Sequence, residues 1–156
     1  MKPLHTAWCA VGFVLSLCVA LSGCGMSTLE RHTTAAGLLH GATGVAASVI
    51  DQGAREAAAG ADSPEAVREA LVPWRRAEAA QHLVAAAVEV YIAEVLAMAV
   101  AEATGEADDE RARRALVHAV TAYRALVDLL AEYGVTLPSV ASVLRFVAEI
   151  GGALQP

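Results

Sequence analysis

Apolar residues recur at steps of three and four along most of this chain, the period of an α-helix with one buried side. Leu29, Ala36, Leu39, Ala46, Ile50 and Ala57 fall on one side of a helix predicted from Thr28 to about Ala59. Ser27 and Glu30 bracket its start as a capping box, and Gly60-Ala61-Asp62 closes it. A second helix opens at Ser63, an N-cap, with Pro64 in the first turn and Glu65 at the positive end of the dipole. Its pattern runs to about Thr104 but meets Pro73, which removes a backbone donor and crowds the preceding turn. A kink or a break near Val72 is therefore predicted.

Between Leu83 and Ala101 the only charges are Glu89 and Glu94. A helix so apolar on most sides is expected to be the central, buried one. The two glutamates argue against its spanning a membrane. A third helix is predicted from about Ala107 to Tyr133, with Asp108, Asp109 and Glu110 at its positive end and Gly134 as C-cap. Leu116, Val120, Tyr123, Val127 and Leu130 form its seam, opposite Arg114, His118, Thr121, Asp128 and Glu132. A short fourth helix spans about Pro138 to Ile150, with Val140, Val143, Leu144, Val147 and Ile150 on its apolar side. Ser142, Arg145 and Glu149 lie on the other side. Nothing resembles a strand or a tandem repeat.

Lengths constrain the packing. The first helix is roughly 48 Å long and the stretch from Trp74 to Thr104 roughly 46 Å, at about 1.5 Å per residue. They match if Pro73 breaks the second helix. The third then returns beside it and ends close to Trp74. The expected fold is all-α, an antiparallel helical bundle of three long helices plus a short C-terminal helix.

Composition sharpens this. The chain is 56% hydrophobic but only 4% aromatic. Alanine supplies much of the apolar fraction; it favours helix and buries little area, so closely spaced helices are expected rather than a thick core. The net charge is -6, and Lys2 is the only lysine. An acidic domain of this kind is a poor match for nucleic acid.

The first residues read differently from the rest. Met1-Lys2 gives a positive start, Thr6 to Leu21 is almost wholly apolar, and Leu21-Ser22-Gly23-Cys24 follows. In that setting the four residues resemble the lipobox of bacterial lipoproteins. The resemblance implies a signal peptide over residues 1–23, cut between Gly23 and Cys24. It implies diacylglycerol on the Cys24 sulfur and an N-acyl chain, such as palmitate, on its amino group. Residues 24–26 then serve as a very short tether and 27–156 as the bundle domain. Gly25 is not the aspartate that family associates with inner-membrane retention, so the resemblance implies an outer-membrane lipoprotein facing the periplasm in a Gram-negative host. Cys9 and Cys18 would leave with the leader, and the mature chain would have no free thiol for a disulfide or a zinc-thiolate site.

Few residues call for chemistry. Gly37, Gly41, Gly44 and Ser48 share one side of the first helix. Interior helical glycines cost about 1 kcal/mol each against alanine, so the group is read as a close-packing face for the second helix or for another copy of the chain. Trp74-Arg75-Arg76 has the composition of a partner contact, or of a core tryptophan with solvated arginines. Arg111, Arg113 and Arg114 suit either anionic head groups or a surface salt-bridge cluster. His32, His40, His82 and His118 with Glu78, Glu89, Glu94 and Glu102 lack the Glu-x-x-His pairs of a bundle metal centre, so no metal and no cofactor beyond the lipid is expected. No nucleophile elbow, phosphate loop or zinc-protease motif occurs.

The functional expectation is a lipid-anchored, non-catalytic interaction or structural protein of the cell envelope, of the secretion-accessory or phage-encoded sort. Its partners would be the membrane, through the lipid, and either another protein or its own copy. The alternatives are a small-ligand binder with a cavity between helices and, behind it, a bundle enzyme.

Overall fold

The computed structural model describes residues 26–105, 109–137 and Arg145. Among the described residues the chain is all-helical, and no strand occurs. Four helices follow in order: α1 (Thr28–Ala59), α2 (Pro64–Ala70), α3 (Val72–Thr104) and α4 (Glu110–Glu132).

The caps explain the boundaries. Ser27 Oγ accepts from the Glu30 amide at 3.2 Å, and the Glu30 carboxylate accepts from the Ser27 amide at 2.7 Å. This completes the predicted capping box. Ser63 Oγ accepts from the Ala66 amide at 3.1 Å, with Pro64 behind it. Pro73 produces a break rather than a kink: α2 ends at Ala70, and Leu71 is at once its C-cap and the N-cap of α3. Pro73 then occupies the first turn of α3, where a missing amide costs nothing.

Gly105 (φ 78°) closes α3. Gly134 (φ 74°) closes α4 in a Schellman arrangement: the Val135 amide donates to Leu130 O, and the Gly134 amide to Ala131 O. Both glycines hold left-handed backbone that a side chain would resist. The third predicted helix thus begins at Glu110, with Asp109 as its N-cap. The short helix expected over Pro138 to Ile150 lies outside the described residues apart from Arg145, which is helical.

α3 packs against both α1 and α4, whereas α1 and α4 barely touch. Directions follow from the contacts. Gly53 of α1 meets Trp74 and His32 meets Tyr91, so α1 and α3 run antiparallel. Glu94 pairs with Arg111 and Trp74 lies beside Tyr133, so α3 and α4 do too. The core is a stack of narrow seams: Ala35, Leu39, Ala42, Ala46 and Ile50 from α1, Val84, Val88, Tyr91, Val95 and Met98 from α3, and Leu116, Ala119, Tyr123, Leu126 and Leu130 from α4.

One expectation fails here. α3 is central in contacts but is not buried on most sides. Only the seam just named and Ala77 are enclosed, while Leu83 (70% exposed), Leu96 (62%), Val100 (69%) and Val90 (57%) face outward. Hydropathy records what a helix could bury; how many neighbours it has sets what it does bury. α3 has two long ones.

Candidate functional site

Gly23 and Cys24, the cleavage and lipidation residues of the lipobox resemblance, lie outside the described residues. What the structure adds is the position of the first cap. The capping box at Ser27 starts α1 three residues after Cys24, and the chain is helical from Thr28 onward.

Trp74 sits where α1, α3 and the end of α4 converge. Its indole is partly buried on the core and covers Gly53, and its centroid is 6.2 Å from the Tyr133 ring at a tilt of 54°. A Cβ on Gly53 would clash with the outer edge of the indole, at Cη2, Cζ3 and Cζ2. The tryptophan is therefore an inward packing element, while Arg75 and Arg76 beside it are exposed. Two grooves adjoin it. One, of about 440 Å³, runs between α1 and the start of α3 past Asp51, Glu78 and His82. The other, of about 470 Å³, lies on the opposite side past Gln52, Glu56 and Val135.

Gly53 is the close-approach glycine, and the sequence reading passed over it. The signal was available. Gly53 stands three residues after Ile50, in phase with the seam of α1, whereas Gly37, Gly41 and Gly44 are out of phase. Those three are exposed, and a Cβ added to any of them meets nothing within 4 Å. The expectation that they admit the second helix is thus corrected: among the described residues no helix approaches that side of α1. Gly41→Ala is expected to raise stability by about 0.5–1 kcal/mol, through the lower backbone entropy of the unfolded chain. Urea denaturation checks it, and a loss of stability would mean that another body presses on this face.

The histidines separate. His40, His82 and His118 are exposed, and His32 is fully enclosed. His32 Nδ1 lies 2.9 Å from the Tyr91 hydroxyl, which also reaches the His32 carbonyl oxygen at 3.1 Å. One tyrosine proton cannot serve both. The arrangement that satisfies every proton has Nδ1–H donating to the tyrosine oxygen and the tyrosine O–H donating to the carbonyl. Nε2 then holds a lone pair and no partner. Protonation there would place an N–H in a buried spot without an acceptor. Burial holds the His32 pKa below the ordinary histidine value; Asp109 opposes the shift and Arg113 adds to it. His32 was visible in the sequence as a residue in phase with Leu29, Ala36 and Leu39. Among the described residues no three His, Cys, Asp or Glu side chains converge to hold a metal ion.

The arginines at the head of α4 are engaged with acids. Arg111 pairs with Glu94 at 2.8 Å, Arg113 with Asp109 at 2.8 Å, and Arg114 with Glu110 at 3.9 Å. This is the salt-bridge cluster of the two readings. Its exposed members add little stability.

Both α1 and α3 are long and apolar enough to cross a membrane, by length and composition. That is compatible with membrane association, and a core helix or a helix with one open apolar face passes the same test. No family model, curated protein or solved structure matches the chain.

Proposed function

We propose that this chain is a lipid-anchored, non-catalytic interaction protein of the bacterial cell envelope, held at the outer membrane in a Gram-negative host. The observation that carries the proposal is Leu21-Ser22-Gly23-Cys24 at the end of an apolar leader. The helix that starts at Ser27 supports it, because so short a tether would hold the folded domain against the bilayer. Residues 138–150 would form the short fourth member of the bundle. Among its polar groups, the buried His32 is tied to Tyr91, and Arg111 and Arg113 of α4 are tied to acids.

The test is expression with the native leader, followed by fractionation and mass spectrometry of the N-terminal peptide. An acylated cysteine at the N-terminus is expected, in the membrane fraction. Cys24→Ala should leave an uncleaved chain without lipid. Recovery of unmodified wild-type protein still starting at Met1 would overturn the anchor.

A further inference from the structure

The outer face of α3 carries a second seam that nothing in the described chain covers. Ala79, Leu83, Ala86, Val90, Ala93, Ala97 and Val100 follow one another at alternating steps of four and three, and all seven are exposed. Leu96 flanks them, 62% exposed. The buried seam of α3 has the same alternation, through Val84, Val88, Tyr91, Val95 and Met98. The helix is thus built as a two-sided heptad element with one side occupied.

We infer that this side pairs with α3 of a second copy of this chain, antiparallel, about a two-fold axis near Tyr91-Ile92. Three observations choose this occupant. The first is the repeat. A heptad kept over three turns of the pattern suits a partner helix, whereas a lipid-facing side has no such constraint. The second is size. Ala86, Ala93 and Ala97 flank Val90 and let two backbones approach closely, while Leu83 and Val100 stand toward the ends. Antiparallel pairing sets Leu83 against Val100 of the partner subunit, Val90 against Ala93 of the partner subunit and Ala86 against Ala97 of the partner subunit. It also keeps Arg75 and Arg76 away from their own copies, which a parallel pair would bring together, and sets Glu89 beside Leu96 of the partner subunit. The third is area. With Leu96 the exposed seam amounts to at most on the order of 600 Å² per copy, so a pair that covered it fully would reach about 1,200 Å², the lower end for a specific interface.

A bilayer fits less well. The face has no tryptophan or tyrosine at its ends to anchor in the head groups, since Trp74 is turned onto Gly53, and its only basic residues, Arg75 and Arg76, continue it at one end. Glu89 would sit beside the hydrocarbon. Pairing of copies deepens the interaction reading above but does not need the lipid, so a Cys24→Ala chain should pair equally well.

The experiment uses the full chain carrying Leu83→Cys and Val100→Cys, oxidised in phosphatidylethanolamine–phosphatidylglycerol vesicles, with the linked peptides identified by mass spectrometry. A covalent dimer joined between positions 83 and 100 is expected; within one chain the two lie about 25 Å apart, at about 1.5 Å per residue. In parallel, sedimentation of the full chain in mild detergent should show a dimer. Val90→Glu should weaken that dimer about tenfold or more, because a carboxylate enters an apolar interface. Its helicity and thermal midpoint as a monomer should stay unchanged, because Val90 is exposed. Links only between like positions would overturn the antiparallel arrangement. A wild-type monomer without links would overturn the pairing altogether, and so would vesicle binding lost with Val90→Glu in a chain that stays monomeric.

Discussion

Replacing Gly53 by alanine is expected to destabilise the fold, although the same change at Gly41 stabilises it. The added Cβ would fall on the Cη2, Cζ3 and Cζ2 atoms of Trp74. Tyr133, with its ring centroid 6.2 Å away, limits the movement of the indole on one side. Overpacking of this kind costs about 1–3 kcal/mol. It opposes the roughly 1 kcal/mol that alanine gains over glycine inside a helix, so the balance tips toward loss. The test is a double-mutant cycle. Trp74→Ala alone should cost about 3 kcal/mol, the low end for deleting a large aromatic, since the ring is only partly buried. In that background Gly53→Ala should change sign and stabilise by up to about 1 kcal/mol. If Gly53→Ala destabilises equally with and without the indole, Trp74 is not the reason for this glycine.

The contrast between Gly53 and Gly41 shows how far the sequence was legible. Phase along a helix is written in the residues. It placed Ala36, Leu39, Ala46 and Ile50 in the core, and Leu116, Val120, Tyr123 and Leu130 with them. Caps are local chemistry, so Ser27, Ser63 and Gly134 ended their helices as read. What three- and four-residue spacing cannot supply is the number of neighbours around a helix. The apolar character of α3 on nearly every side predicts an enclosed helix, yet Leu83, Val90 and Val100 are exposed because nothing described stands opposite them. The stripe of Gly37, Gly41 and Gly44 meets no helix among the described residues for the same reason. Small residues permit close approach, and permission alone brings no partner. The buried His32–Tyr91 pair joins residues 59 positions apart, a contact set by the register of two helices and not by either sequence segment alone.

That pair should give the fold a pH dependence near neutrality. In the unfolded chain His32 takes up its proton near the ordinary value of about 6.5, and in the fold only at lower pH. In the window between, the unfolded state holds more protons, so stability rises with pH there. The contribution of neutral His32 is therefore complete above about 6.5 and is lost progressively as pH falls below it. Urea midpoints at steps from pH 7.5 to 5.5, above the range where carboxylates ordinarily titrate, should fall toward the acid end. His32→Leu should flatten that slope, because the titrating group is gone. A second variant separates charge from hydrogen bonding. Tyr91→Phe removes the hydroxyl that serves both Nδ1 and the His32 carbonyl, and leaving Nδ1–H buried without an acceptor should cost about 1–3 kcal/mol at pH 7.5. His32→Leu combined with Tyr91→Phe should cost less than the sum of the two, because both polar partners are removed together. A slope that persists unchanged in His32→Leu would assign the pH dependence to other groups, and strict additivity of the two variants would mean that the hydroxyl and the imidazole do not depend on each other.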